Sequence, residues 1–141
     1  LLDKARAMSR FDECLKFILQ REGGFVDDPS DRGGATNMGI TEATDDAWDK
    51  AHGIAEHPVR TISHEEVADI YRSEYWDKCR CNDLPPRFDL LVFDSAVQHG
   101  VSRAVKWMQL ITGSKTDGQC GEKTLYAVHE FVLDRRVPEL T

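Results

Sequence analysis

The stretch from Glu22 to Thr41, EGGFVDDPSDRGGATNMGIT, constrains this chain more than any other. Five glycines and Pro29, set among Asp, Ser and Asn, make turn chemistry and exclude a helix or a long strand here. At most a short β-ribbon around Phe25-Val26 and Ala35–Met38 fits. A long connection of this kind inside a compact domain is usually either functional or disordered, and periodic helices flanking it closely favour function. The segment before it has the opposite character. Phe11, Leu15 and Ile18 recur at helical spacing, and the next position of that stripe is Glu22. The sequence therefore brings a helix to an end with a carboxyl group in line with its apolar face, and opens a glycine-rich loop there. An ionisable group on such a stripe is either a general acid or a last-turn surface Glu before a glycine cap.

The remaining chain reads as helices with legible ends. Ser9 or Asp12 caps the first, which Gly23-Gly24 stops. Thr41 caps a helix over residues 42–52, with Ala43, Ala47 and Trp48 expected inward and Gly53 ending it. Ser63-x-x-Glu66 is a capping box that opens a helix running to about Cys79, with the stripe Val67, Ile70, Tyr71, Tyr75. Pro85 or Pro86 begins an apolar helix through Phe88, Leu91, Val92, Ser95 and Ala96 to His99-Gly100, the expected central helix. Ser102 caps the next, with Val105, Met108 and Gln109 on one face. Gly121 or Glu122 opens the last, to about Leu133. The expected fold is mainly α, with about six helices and a Gly-rich loop or short β-ribbon after the first.

A chain of 141 residues suits one domain. Its formal net charge of −7 argues against a nucleic-acid partner. No apolar run approaches a membrane span, and the N-terminus lacks the apolar core of a signal peptide. Met8 offers a natural start, so residues 1–8 are read as a tail or vector remnant and 9–141 as one domain. Synthesis in a reducing cytoplasm fits the four cysteines, Cys14, Cys79, Cys81 and Cys120, read as free thiols. Cys79-x-Cys81 has too short a bite for a zinc site without a second pair, and the spacing of His52 and His57 matches no metal template. No metal, no cofactor and a monomer are expected.

Cleaving a glycosidic bond needs an acid on the leaving oxygen and a carboxylate or positioned water on the other face. Glu22 and Asp31 lie nine positions apart across the loop, and Thr36 follows five later, so the loop can fold back to bring them together. Asp27 and Asp28 compete with Asp31, and an Asx-turn role is the plainer reading of Asp31. Tyr75 and Trp76, beside Tyr71, offer aromatic faces of the kind that stack on sugars, with a core role the alternative for both and the plainer reading of Tyr71. Asp94 is expected to brace the loop, while Gln98 and His99 sit where they could reach substrate.

Glu22-Gly-Gly-Phe, Asp31-x-Gly-Gly-x-Thr36 and Met38-Gly-Ile-Thr41 together resemble the signature of glycoside hydrolase family 108, a group of phage endolysin-like N-acetylmuramidases, some described as secretion activators. Tyr71-Arg-Ser-Glu-Tyr75-Trp76-Asp and Phe93-Asp94-Ser-Ala-Val97-Gln98-His-Gly100 are similar to later blocks of that family. From about residue 93 the chain resembles the accompanying peptidoglycan-binding segment, through Asp117-Gly118-x-x-Gly121-x-x-Thr124, and that segment is expected to run past Thr141. The resemblance implies a lysozyme-like helical domain, a catalytic part over about 9–92, and hydrolysis of the β-1,4 bond between N-acetylmuramic acid and N-acetylglucosamine. It implies Glu22 as the acid, with Asp31 and Thr36 as partners and glycan strands as substrate. E-x8-D-x4-T is here one residue shorter than the E-x8-D-x5-T of phage-type lysozymes, and Gln98 stands where Asn is expected. A lytic transglycosylase and a non-catalytic wall-binding or secretion-accessory module are the alternatives. Without a visible signal peptide, a holin or secretion system is the expected route to the periplasm and cell wall.

Overall fold

A computed structural model describes residues 8–30 and 33–136, with the side chain of Arg136 outside that description. Among these residues the fold is mainly α, with six helices and one two-stranded antiparallel hairpin after the first helix. The chain forms two compact units that divide between Tyr71 and Arg72.

The first unit begins with α1 (Arg10–Glu22). Ser9 caps it reciprocally: its hydroxyl accepts from Asp12 N, and Asp12 returns the bond to Ser9 N, both at 3.1 Å. Phe11, Cys14, Leu15 and Ile18 are buried, as the stripe requires. Strands β1 (Thr36–Asn37) and β2 (Ile40–Thr41) pair Thr36 with Thr41 and Asn37 with Ile40. The loop between them is Met38-Gly39, with φ of +50° and +81°. Positive φ at both central residues is the type I′ pattern that matches strand twist in two-residue hairpins. Val26 adds a bridge on the outer side of Thr36, with backbone bonds of 2.8 Å in both directions.

Thr41 caps α2 (Glu42–His52), accepting from Thr44 N at 3.1 Å, and Gly53 ends it in the left-handed conformation. The inward face is not the expected one. Ala43 and Ala47 are exposed and Trp48 is half-buried, stacked on His52 at 3.7 Å. Asp45 and Asp49 are the buried residues of this helix. A short 3-10 turn, Val59–Thr61, leads to α3 (His64–Tyr71). Ser63 Oγ accepts from Glu66 N at 3.1 Å as the capping box predicts, but the Glu66 carboxylate turns inward to His57. Asn37 Nδ2 donates to the carbonyls of Val59 and Arg60, at 3.2 and 3.1 Å, while Val59 N donates to Glu42 Oε2 at 2.6 Å. Hairpin, α2 and the 3-10 turn are thus cross-linked by side chains.

The second unit opens with a π-helical turn, Arg72–Trp76, closed by Asp77 N on Arg72 O at 2.8 Å. The helix expected to run to Cys79 is therefore α-helical only to Tyr71. After a 3-10 turn at Cys81–Asp83 come α4 (Phe88–His99), α5 (Val101–Thr112) and α6 (Glu122–Arg136). Val92, Phe93 and Ala96 are buried on α4, but Leu91 is 63% exposed and Asp89 is buried instead. Asp89 Oδ1 accepts from Arg87 N and Leu90 N, at 3.1 and 2.6 Å, satisfying donors of the first helical turn that no intrahelical carbonyl reaches. Ala104, Val105, Met108 and Gln109 face inward from α5. None of Cys14, Cys79, Cys81 and Cys120 is in a disulfide.

Candidate active site

Glu22 closes α1, and Gly23 at φ +80° turns the chain away while its N–H reaches Leu19 O at 3.1 Å. Other parts of the first unit meet around this carboxyl group. Gly39 of the hairpin loop lies directly against the side chain: a Cβ there would stand 3.3 Å from Glu22 Cγ and 3.4 Å from Glu22 Cβ, and would collide with the Tyr71 hydroxyl. Only glycine fits, both for that approach and for φ +81°. Tyr71, from the end of α3, is 1% exposed and donates its hydroxyl to Met38 O at 2.8 Å, which holds the turn in place. Arg21 Nη2 is 3.7 Å from Glu22 Oε1, and the Glu22 side chain keeps 29% of its surface exposed. The apolar part of Glu22 is walled in by the hairpin while its side chain stays partly open to solvent.

The other expected residues fall as follows. Asp31 lies outside the described residues. Thr36 is the first residue of β1, flanked by Val26 on one edge and Thr41 on the other. Asp28 Oδ1 accepts from both the backbone N–H and the hydroxyl of Ser30, at 2.9 and 2.8 Å, and these bonds hold its carboxyl below the usual range. That is an Asx turn, so Asp28 is occupied in shaping the loop. Asp27 is exposed.

In the second unit, Tyr75 is half-buried within the π-helical turn. Trp76 is 1% exposed, with Nε1 donating to Asn82 Oδ1 at 2.8 Å and its ring edge-on to Phe93 at 5.1 Å. It offers no face for a sugar to stack on, which corrects its expected role as a substrate contact; a tryptophan with its N–H satisfied is ordinary core. Gln98 is exposed and donates to Asp94 Oδ1 at 3.0 Å. His99 is exposed, edge-on to Trp107 at 5.1 Å, and lines a depression of about 450 Å³ with Ser102, Arg103 and Lys106.

The Asp117–Thr124 block has a structural centre. Gln109, fully buried, has Nε2 2.9 Å from Asp117 Oδ1 and 3.0 Å from both Gln119 O and Thr124 Oγ1, and accepts Gly118 N at 2.9 Å through Oε1. These contacts organise the turn before α6.

A second polar cluster in the first unit escaped the sequence reading. Asp45 and Asp49 of α2, His57 and Glu66 bring their carboxylate and imidazole atoms within 4.8 Å of one another. The imidazole is pushed up to about 9, chiefly by its bond to the Pro58 carbonyl and then by Glu66 and the two aspartates, against a lowering by burial. Burial, then Asp49 and Asp45, push Glu66 up to about 7. The available signal was Asp45-x-x-x-Asp49, two carboxylates one helical turn apart on one face, but it only gains meaning once that face is known to be inward.

Comparison with known proteins bears on the whole arrangement. The glycosyl hydrolase 108 family model matches residues 15–100. A solved structure described as that of Brucella abortus SagA is 41% identical, with a TM-score of 0.75, over 88% of this chain and 71% of that one. A search of curated proteins found no match.

Proposed function

We propose that this chain, which belongs to the glycosyl hydrolase 108 family, is a peptidoglycan hydrolase of the N-acetylmuramidase type with Glu22 as its general acid. The observation that carries the assignment is the setting of Glu22. Its stem is packed beneath a glycine that nothing larger can replace, and its side chain keeps 29% of its surface open. A catalytic acid needs both a fixed position and access to the leaving oxygen. Asp28 is engaged by Ser30, which favours Asp31 over it as the second carboxylate, with Thr36 holding a water. Tyr75 is the aromatic left for a sugar contact once Trp76 is assigned to the core.

The test is digestion of purified peptidoglycan by wild type and Glu22→Gln, with mass analysis of the products. Loss of a general acid lowers the rate by about 10²–10⁴-fold. Products with reducing muramic ends support hydrolysis, and anhydro ends mean transglycosylation instead. Glu22→Gln protein that melts like wild type and keeps more than about a tenth of its activity removes Glu22 from the role, since one tenfold corresponds to only about 1.4 kcal/mol of barrier.

A further inference from the structure

The Asp45–Asp49–His57–Glu66 cluster has more negative charge than its surroundings neutralise. Asp45 is fully buried and Asp49 is 1% exposed, yet among the described residues no N–H or O–H donor satisfies any of their four carboxylate oxygens or Oε1 of Glu66; what faces them is the His57 imidazole and the other carboxyl groups of the cluster. Buried carboxylates in proteins are hydrogen-bonded, ion-paired or bound to metal. One imidazolium can offset one of three carboxylates. Its ring nitrogens stand 3.5 Å from Asp45 Oδ2 and 3.4 Å from Asp49 Oδ2, too far for good hydrogen bonds, and 3.0 Å from Glu66 Oε2.

The geometry points to a site for one divalent first-row transition ion, of the Zn²⁺ or Mn²⁺ class, held by Asp45, Asp49, His57 and Glu66. His57 Nδ1 lies 3.1 Å from Pro58 O, an atom that only accepts, so Nδ1 carries hydrogen in either charge state, and a bound ion would displace the proton on Nε2, the nitrogen nearest Glu66 and Asp49, and take its lone pair. An outward N–H on a backbone carbonyl is how metal-bound histidines are oriented. Ligand atoms about 2.0–2.1 Å from a tetrahedral ion lie about 3.3 Å from one another. Nε2 is 3.0 Å from Glu66 Oε2 and 3.4 Å from Asp49 Oδ2, close to that edge length. A nitrogen donor favours a transition ion over Ca²⁺, which takes oxygen ligands. A 2+ ion among three carboxylates and a neutral imidazole leaves a net charge of −1.

The ion would fasten α2, the segment ahead of the 3-10 turn, and α3 at one point. That turn is also where Asn37 of β1 is anchored, through the carbonyls of Val59 and Arg60. The hairpin that covers Glu22 is thereby supported from the metal site, although none of the four ligands is a residue assigned to catalysis.

The full chain, stripped with a chelator and dialysed, is titrated with Zn²⁺, Mn²⁺ and Ca²⁺ by calorimetry, and melted with and without each ion. One Zn²⁺ or Mn²⁺ per chain, with a raised melting temperature, is expected. Asp49→Asn and His57→Ala should each weaken binding by more than about tenfold, since even outer-shell changes at metal sites cost 10–100-fold. A Cys79→Ser/Cys81→Ser/Cys120→Ser variant should bind as wild type does. X-ray absorption of the zinc-loaded wild-type protein should show oxygen and nitrogen neighbours without sulfur, a readout that holds even if a ligand variant fails to fold. The proposal is overturned by an absence of saturable binding, by a sulfur shell, by binding of Ca²⁺ alone, or by Asp49→Asn binding as tightly as wild type.

Discussion

Replacing Gly39 by alanine perturbs the contact that defines the candidate site, and its cost can be taken apart. The residue has φ +81°, a conformation that costs an L-residue about 1–2 kcal/mol. The new Cβ also enters the space of the Tyr71 hydroxyl. Tyr71 is 1% exposed, so its ring cannot swing aside, and the hairpin loop must lift instead. Lifting it breaks the Tyr71–Met38 bond, worth about 1 kcal/mol, and draws the loop off Glu22. Gly39→Ala should therefore destabilise the protein by about 2–3 kcal/mol. Tyr71→Phe alone should cost about 1 kcal/mol, the bond only. In the double variant the collision is gone while the φ strain and lost bond remain, so its cost should fall below the sum of the singles by at least about 1 kcal/mol. Urea denaturation of the four proteins measures this coupling. Peptidoglycan digestion should follow it, with Gly39→Ala slower than the double variant. Additivity within about 0.5 kcal/mol, the ordinary result for independent sites, would refute the claim that Gly39 and Tyr71 share one contact.

Met38 occupies the first loop position of a type I′ turn at φ +50°, where Asn is preferred; Met38→Asn should stabilise by about 0.5 kcal/mol, and a lower melting temperature would contradict the turn assignment. Gln109→Leu keeps the volume but deletes a buried amide that can satisfy about three bonds at once; a loss of about 3 kcal/mol in denaturant unfolding is expected. The Asp117 carboxyl is held below its ordinary value, first by Gln119 N–H and then by the Gln109 amide. A depressed folded value means the stabilisation is present above the unfolded carboxylate value of about 4 and is lost as pH falls through the lower, folded one. The stability gap between wild type and Asp117→Asn should be constant from neutral pH down to that range and close below it.

Local chemistry was legible in this chain wherever its cause lies within a few residues. Ser9, Thr41, Ser63, Gly23 and Gly53 mark helix ends because a cap bonds to backbone no more than four positions away. The apolar stripe of α1 was readable for the same reason, and so was the arrival of Glu22 at its end. Failures came where the inward face was inferred from apolar content alone. On α2 that rule selected Ala43, Ala47 and Trp48, whereas the helix buries Asp45 and Asp49 against His57 and Glu66. On α4 it selected Leu91, which is exposed, over Asp89, which satisfies the first helical turn. For Trp76 the sequence leaves sugar contact and core open, and the bond of its N–H to Asn82 within a closed core goes with the latter.

The sequence by itself determined a helical chain, interrupted once by a glycine-rich hairpin, with a carboxyl group at the junction. Spacing and caps are properties of neighbouring residues. Only the tertiary structure decided what surrounds that carboxyl group and what the buried aspartates face. Gly39, Tyr71 and His57 come from separate parts of the chain, and no periodicity links them. Gly39 and Tyr71 meet because close packing leaves room for a glycine against Glu22 and for nothing larger, and His57 meets the α2 aspartates because two buried carboxylates beside a half-buried Glu66 cannot share that interior without a positive partner.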